Sequence, residues 1–376
     1  MKNFWSYKKE YNKLRQKILL SIDKALKSGN IFFGKELKKF ENNFNKYNKS
    51  KFGLAVGSGT EALYIAMKSF NIGPGDEVIT VSNTAIPTAS AITSTGATIK
   101  FVDINNHYLI DPDKIIKNIN KKTKAIIPVH LYGQSCDMDK INKIARKFDL
   151  KVIEDCAQAQ GAKYKGKFVG TLGDAGCFSF YPTKILGAYG DGGFITVKSK
   201  KMYQKMRRIR FYGIESLNKK NKFYGKYYSN EQGINSRIDE MQLSILNIKL
   251  LQVNKYIAKR IKIAKYYKDQ LNDTSLVLPD INKNNKHVFH LYTVYHKKRS
   301  LIFKLLKKKG VKLNIYYPYP IHKMNGYRFM PNNKRLKLMN TEKMSQGIFS
   351  LPLYPELTFK DLEKFTKSLK SVMKSI

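Results

Sequence analysis

Residues 52–63 read FGLAVGSGTEAL: an apolar, β-rich run ends in small residues and leads directly into a helical pattern. Further β-rich runs follow at 77–82, 98–104, 124–131 and 151–156, with helical patterns between most of them. Short strands that alternate with helices are typical of βαβ units, which build a largely parallel sheet covered by helices on both faces. The sequence therefore predicts an α/β fold.

The predicted sheet is mixed, because the next two strand-like runs are too close together for a crossover helix. Ala175–Tyr181 and Gly193–Val197 are separated by a glycine-rich turn, a spacing that favours a local hairpin. The polar stretch Glu215–Gly233 is then predicted to form a long loop. Ser236–Tyr267 has the length and apolar spacing of one long helix or two in sequence.

The pattern changes near residue 250, which predicts a large domain at 1–250 and a smaller C-terminal α+β domain at 251–376. A chain of 376 residues and 43.4 kDa is long enough for both. The small domain is expected to contain strands at His290–Tyr295 and Val311–Tyr317 and helices at Ser300–Lys309 and Lys360–Met373.

The composition is that of a globular protein with one unusual feature, a formal net charge of +42. Such a charge favours polyanionic partners, so a lysine-rich nucleic-acid-binding protein is an alternative hypothesis. Sixty of the 70 basic residues are lysines spread along the chain, however, whereas arginine is the better residue for bidentate contacts with phosphate and guanine. This distribution favours a solvated surface, with no nucleic acid as partner.

Three cysteines, Cys136, Cys156 and Cys177, form neither a CxxC pair nor an even set. Neither a disulfide framework nor a metal site is expected, and a reducing compartment fits best. The first 30 residues contain no uninterrupted apolar segment, and nowhere do about 18 apolar residues run together. We therefore expect a cytoplasmic protein without membrane insertion.

The first candidate site is the small-residue segment at 56–63. Small residues let backbone N–H groups approach an anion, the N-terminus of a helix adds partial positive charge, and Ser58 and Thr60 offer hydroxyl donors. An ordinary N-cap would show the same residues. The segment has neither the Walker nor the dinucleotide-binding spacing.

The second and third candidates are an acidic strand end and a lysine in a glycine-rich loop. Asp155 and Gln158 follow an apolar strand at the edge where parallel sheets bind ligands, although Asp155 would also suit the N-cap of a following helix. In the segment 177–193, an apolar strand delivers Lys184 into a loop rich in glycine. Burial there would lower the pKa of the amine and make it a nucleophile for Schiff-base formation.

A phosphate anchor, a partner for a pyridine nitrogen and a Schiff-base lysine are what a pyridoxal phosphate enzyme requires. With these three in this chain order, the sequence resembles the DegT/DnrJ/EryC1/StrS sugar aminotransferases, of the type I aminotransferase fold. The resemblance runs over nearly the whole chain. Its further motifs are Phe33–Glu36, His130–Gln134, Gly233–Gln242, His287–Tyr292, Tyr317–His322 and Leu351–Pro355.

The resemblance implies a role for each site residue. Lys184 would be the catalytic residue that forms the Schiff base, Asp155 would keep the pyridine nitrogen protonated, and Gln158 would approach the ring hydroxyl. The phosphate would be bound by Gly59, Thr60 and Ser179, and by Asn235 reaching across from the neighbouring subunit of a homodimer with shared active sites. The residues expected to meet the sugar nucleotide are Tyr181, Tyr316, Tyr317 and His322.

Two positions depart from the family pattern. Ala85 stands where relatives often have an aromatic that stacks on the cofactor ring, and Tyr316 stands where many have histidine. A branch of the family that replaces the lysine by histidine dehydrates its substrate, and the presence of Lys184 argues against that chemistry.

The resemblance also indicates the substrates, with L-glutamate as amino donor and a keto sugar nucleotide as acceptor. The loop 181–193, together with Tyr132-Gly133-Gln134, is similar to the branch that aminates C3 of dTDP-3-keto-6-deoxyhexoses, for amino-sugar and surface glycan biosynthesis. The alternative is amination at C4 of a 4-keto-6-deoxy sugar nucleotide. Members of that branch more often have a Thr-Thr-Gly-Glu-Gly-Gly loop.

Overall fold

The computed structural model describes residues 5–214 and 228–376. Its main sheet has seven strands in the order β1-β9-β8-β5-β4-β2-β3. They are β1 (Phe52–Val56), β2 (Glu77–Val81), β3 (Thr98–Val102), β4 (Thr123–Ile126), β5 (Lys151–Asp155), β8 (Ala175–Ser179) and β9 (Gly193–Val197). The short strands β6 (Lys163–Tyr164), β7 (Lys167–Phe168) and β10 (Asn285–Lys286) form a second sheet, and β11 (Tyr292–Tyr295) pairs with β12 (Ile348–Leu351).

The main sheet is mixed, as the sequence predicts. Strands β3, β2, β4, β5 and β8 are all parallel, whereas β9 is antiparallel to both β8 and β1. Because β9 is reversed between them, β1 runs in the same direction as β8. The carboxyl ends of all six parallel-running strands therefore meet at one edge of the sheet.

Twelve α-helices surround these sheets in the described part of the chain. They are α1 (Lys8–Lys27), α2 (Lys35–Asn48), α3 (Gly59–Ser69), α4 (Ile86–Ser94), α5 (Pro112–Ile115), α6 (Met138–Lys147), α7 (Lys200–Ile209), α8 (Glu240–Leu250), α9 (Val253–Leu271), α10 (Arg299–Lys308), α11 (Met339–Gly347) and α12 (Phe359–Lys374). No helix within the described ranges is both long and apolar enough to span a membrane.

One carboxylate links the two ends of the predicted large domain. The N-cap of helix α2 is Gly34, which has no side chain to cap the helix. The buried carboxylate of Glu240 in α8 accepts hydrogen bonds from the backbone N–H groups of Gly34, Glu36 and Leu37 at 2.8–3.1 Å. An anion at this position satisfies the free N–H groups of the helix and complements its dipole.

The predicted strand Val311–Tyr317 is wrong. Among residues 5–214 and 228–376, its only pairing is an isolated bridge from Asn314 to Ser350, and the partner of β11 is the unpredicted strand β12. Val311 is buried and Leu313 and Ile315 are partly buried. The alternating pattern therefore reports a buried face of an extended segment rather than a ladder of hydrogen bonds.

Two other predictions concern the middle of the chain. The helical stretch at 236–267 consists of two helices, α8 and α9, separated by Leu251 and Gln252. Of the predicted loop at 215–233, residues 215–227 lie outside the described residues.

The boundary near residue 250 stays a prediction. A separate apolar core does form around α9, α10, α12 and the β11–β12 pair. Ile321 and Leu338, however, pack in the core of the main sheet, and Trp5 packs against the C-terminal core. The chain thus crosses between the two cores more often than a single boundary implies.

Candidate active site

The phosphate-binding candidates meet at the shared edge of β1 and β8. In the sheet register Gly193 lies between Val56 and Ser179. A Cβ added to Gly59 would lie 2.7 Å from the Cβ of Ser179, so only glycine allows α3 to begin this close to β8. The structure thereby brings Gly59, Thr60 and Ser179 together at the N-terminus of an 11-residue helix. Such a helix start binds anions through its free N–H groups.

Asp155 is the last residue of β5 and is only 5% exposed. Its Oδ2 accepts a hydrogen bond of 2.8 Å from the hydroxyl of Thr88, and its Oδ1 accepts one of 3.1 Å from the backbone N–H of Ala157. Burial raises the pKa of this carboxyl, while both donors and the nearby charge of Lys184 act in the opposite direction. The chain turns towards β6 after Asp155, so Asp155 is not a helix cap.

Lys184 lies in the turn that follows β8, with its side chain partly buried. Desolvation lowers the pKa of the Lys184 amine to about 8, and the charge of Asp155 partly opposes this shift. An amine with this pKa is partly neutral near pH 8 and can act as a nucleophile or as a base.

Gln158 is held between two tyrosines. Its side-chain oxygen accepts a hydrogen bond of 2.9 Å from the backbone N–H of Tyr132, and its NH₂ donates one of 2.9 Å to the phenol oxygen of Tyr317. The phenol of Tyr132 in turn donates to the carbonyl of Tyr316. Burial and the nearby charge of Asp155 raise the pKa of Tyr317, which therefore stays a neutral phenol.

Two predicted residues lie at the rim of this group. Tyr181 is 53% exposed. Asn235 is also exposed and forms a backbone bridge with Phe211. Its neighbour Ser236 ties this segment to the phosphate-binding candidates, because its hydroxyl accepts from the N–H of Gly57 and donates to Glu61.

That His322 meets the sugar nucleotide stays a prediction, and the structure shows what the ring contacts within the chain. The ring is 1% exposed, with Nδ1 2.7 Å from the hydroxyl of Ser82 and Nε2 3.1 Å from the carboxylate of Glu342. Both ring nitrogens are therefore engaged within the chain. We propose that these contacts of His322 fix the segment after Tyr317 against the end of β2.

Sequence reasoning missed Thr88 and Tyr132 as contacts of the site residues. Tyr132 lies in the motif His130–Gln134, so a signal was present there, whereas Thr88 lies three residues after Ala85, where the sequence departs from the family pattern. Their contacts with Asp155 and Gln158 join residues 67 and 26 positions apart, which local patterns do not reveal.

At the departure from the family pattern, Ala85 precedes α4 and supplies no aromatic ring to stack on the cofactor. Tyr317 is the aromatic side chain placed beside Asp155 and Gln158.

A second buried group next to Asp155 consists of His130, Glu154 and Cys156, whose ligand-type atoms lie within 4.8 Å of one another. The Nδ1 of His130 accepts from the N–H of Cys136, so its Nε2 carries the proton and donates to Glu154 at 2.9 Å. The same carboxylate also accepts from the backbone N–H groups of Gly170, Leu172 and Gly173. Because its lone pairs are used in this way, we assign Glu154 a structural role.

The residues at the sheet edge fit pyridoxal phosphate. The N-terminus of α3 matches the phosphate, the buried carboxylate of Asp155 matches a protonated pyridine nitrogen, and the amine of Lys184 matches the aldehyde. Glycine is required where the phosphate would approach, since Cβ atoms at Gly59 and Gly193 would collide with Ser179 and Ser58.

Comparison with known proteins gives the same result. The family model described as the DegT/DnrJ/EryC1/StrS aminotransferase family matches residues 12–370. The chain is 40% identical to a dTDP-3-amino-3,4,6-trideoxy-alpha-D-glucose transaminase of Micromonospora megalomicea subsp. nigra, over 98% of both chains. It is 39% identical to a dTDP-3-amino-3,6-dideoxy-alpha-D-galactopyranose transaminase of Aneurinibacillus thermoaerophilus, over 94% of this chain and 95% of that protein.

A solved structure shares the whole fold. The S. venezuelae DesV structure, in complex with a ketimine intermediate, has a TM-score of 0.93 and 33% identity, over 100% of this chain and 99% of that chain. The predicted type I aminotransferase fold is thereby confirmed. From the matching family model, the full-length relatives and the shared fold, we conclude that this chain belongs to the DegT/DnrJ/EryC1/StrS aminotransferase family.

Proposed function

We propose that this enzyme transfers an amino group from L-glutamate to a keto sugar nucleotide, with pyridoxal phosphate bound at the carboxyl edge of the main sheet. The observation that carries this proposal is the arrangement of Lys184, Asp155 and the N-terminus of α3 at that one edge. Similarity to transaminases of sugar nucleotides supports the acceptor class.

Each residue of the group has a distinct task in this reaction. When bound, pyridoxal phosphate supplies an electron sink for the carbon that loses a proton. The carboxylate of Asp155 holds a proton on the pyridine nitrogen, which makes that sink effective. The amine of Lys184 removes the proton from the α-carbon of glutamate and later returns one to the sugar carbon. The phosphate is held by Gly59, Thr60 and Ser179. Gln158 orients the cofactor ring by approaching the hydroxyl of that ring.

Lysine suits the proton transfer because its pKa can be tuned near neutrality. The Lys184 pKa of about 8 leaves both protonation states accessible at physiological pH. Arginine, which is always protonated, could not act as a base.

For the position of amination we propose C3 of a dTDP-3-keto-6-deoxyhexose, a step of amino-sugar synthesis for a surface glycan. Both relatives named above are transaminases of 3-amino sugars. The loop 181–193 and the Tyr132-Gly133-Gln134 motif support the same choice. Tyr181, Tyr316 and Tyr317 are the proposed contacts of the sugar nucleotide. Amination at C4 is the second candidate.

We propose further that two copies of the chain share their active sites. Next to Asn235 lies a patch of exposed apolar side chains formed by Ile31, Phe32, Phe33, Tyr212 and Tyr228, which are 39–64% exposed. The guanidinium of Arg237 stacks on Phe32 at 4.3 Å. A contiguous apolar patch of this kind marks a protein interface. A second copy seated there would receive Asn235 at its own phosphate site.

The pKa of Lys184 predicts how cofactor incorporation depends on pH. Only the neutral amine attacks the aldehyde, so the rate at which the apoprotein takes up pyridoxal phosphate should rise with pH and level off above about 8. Asp155→Asn removes the negative charge that raises the pKa of Lys184, and the midpoint should move to lower pH. Stopped-flow absorbance measures both rates. A midpoint near the ordinary lysine value of 10.5 would contradict this account of the site.

The substrate proposal predicts a preference between keto sugars. With L-glutamate as donor, the purified enzyme should aminate a dTDP-3-keto-6-deoxyhexose faster than the 4-keto isomer, and mass spectrometry and NMR of the product identify the aminated carbon. A parallel series with UDP-linked sugars tests the nucleotide. Amination of the 4-keto sugar alone would overturn the choice of C3.

The shared site predicts complementation between two defective variants. A mixed dimer of Lys184→Ala and Asn235→Ala chains has one site in which both residues are intact, whereas the other site lacks both. Mixed dimers purified through two different tags should therefore regain turnover that Lys184→Ala homodimers lack and exceed Asn235→Ala homodimers in cofactor affinity. If Asn235 served its own subunit, no mixed site would be intact, and absence of rescue would refute sharing.

A further inference from the structure

We infer that Thr88, itself oriented by Thr84, is a positioning residue that fixes the carboxylate of Asp155 for the pyridine nitrogen of the cofactor. This inference rests on the proposed function and assigns a role to two hydroxyls that the family motifs leave without one. Thr84, Thr88 and Asp155 are 2%, 1% and 5% exposed, so water does not compete for their hydrogen bonds.

The direction of each hydrogen bond follows from the number of protons available. An ionised carboxylate only accepts, so the single hydroxyl proton of Thr88 is donated to Oδ2 of Asp155 at 2.8 Å. The Thr88 oxygen can then only accept from the hydroxyl of Thr84, 3.1 Å away. The three residues thus form a chain of hydrogen bonds in which every proton points towards Asp155.

These hydrogen bonds hold the Asp155 oxygen that the backbone N–H of Ala157 does not contact. Oδ1 is held by the N–H of Ala157, two residues further along the same strand end, whereas Oδ2 is held from α4. With both oxygens anchored, the carboxylate plane cannot rotate freely. A donor to each oxygen also favours the ionised form, which is the form that pairs with a pyridinium.

Other titratable groups face Asp155 and must be considered in any pH effect. The charge of Lys184 and the neighbouring His130 lower the pKa of Asp155, and burial raises it. Burial raises the pKa of several neighbouring groups, and the charge of Asp155 adds to this shift, so that they stay neutral: Cys136, Cys156, Cys177 and Tyr317. Neither Thr88 nor Thr84 titrates, so their replacement changes the hydrogen bonds of Asp155 without adding or removing a charge.

The test compares Thr88→Val with Thr88→Ser, using the dissociation constant of pyridoxal phosphate measured by equilibrium ultrafiltration from pH 5 to pH 9. Valine has the shape of threonine but no hydroxyl, and loss of a hydrogen bond to a charged group should weaken cofactor binding about tenfold. Without its donor, Asp155 also becomes protonated at higher pH. The pH below which cofactor affinity is lost should therefore move upward in Thr88→Val, and Thr88→Ser should restore both properties.

Two further variants separate positioning from a merely structural effect. Thr84→Val removes the second hydrogen bond of the chain and should weaken binding less than Thr88→Val. Thr80→Val is the matched control: Thr80 is fully buried, and its hydroxyl donates to the carbonyl of Ile127 at 2.9 Å rather than to the carboxylate of Asp155. It should lower thermal stability without shifting the pH profile. Thermal unfolding of each apoprotein verifies folding, and Thr88→Ala replaces the valine variant if that fails to fold.

The inference is overturned if Thr88→Val binds the cofactor with the affinity and pH profile of the wild type. It is also overturned if Thr88→Ser loses as much as Thr88→Val, or if Thr80→Val shifts the profile equally. A wild-type protein that does not bind pyridoxal phosphate would instead refute the proposed function.

Discussion

The buried carboxylate of Asp155 is the constraint around which the site is arranged. An uncompensated charge at this depth costs several kcal/mol, so the fold must supply donors or a counter-charge. Two hydrogen bonds, from Thr88 and from the N–H of Ala157, meet part of this need. The amine of Lys184 meets it incompletely, since its own burial lowers its pKa to about 8. A protonated pyridine nitrogen completes the balance, which gives a physical reason for this site to bind such a cofactor.

The mixed sheet places the other proposed site residues at the same edge as Asp155. The antiparallel strand β9 lies between β8 and β1. Because β9 runs in the opposite direction, the carboxyl ends of β8 and β1 lie at the same edge as that of β5. Glycine at positions 59 and 193 allows the start of α3 to contact the end of β8 and the start of β9. The positions of the proposed phosphate site and of the loop that contains Lys184 therefore both follow from one strand arrangement. Replacing either glycine by a residue with a side chain would push the start of α3 away from β8 and β9.

Much of this arrangement was predictable from the sequence, for reasons that particular residues illustrate. Asp155 ends an apolar strand and Lys184 lies in the glycine-rich loop after another, so local patterns were sufficient to predict them as site residues. The contacts of His322 were not predicted because nothing near it in the sequence indicates Ser82 or Glu342, whose side chains contact its two ring nitrogens. Thr88 and Glu240 were not identified because their partners lie far away in the chain. Val311–Tyr317 shows the converse error, in which an alternating pattern was correct about burial and wrong about strand pairing.

The net charge of +42 indicates less about function than a single residue does, because the proposed chemistry depends on Lys184, one lysine among sixty. The most direct test of the account is therefore to identify that lysine chemically. Borohydride reduction of the protein loaded with pyridoxal phosphate, followed by digestion and mass spectrometry, should find the cofactor attached to the peptide that contains Lys184, and Lys184→Arg should remain unlabelled. Attachment to a different lysine, or equal labelling of Lys184→Arg, would contradict the account.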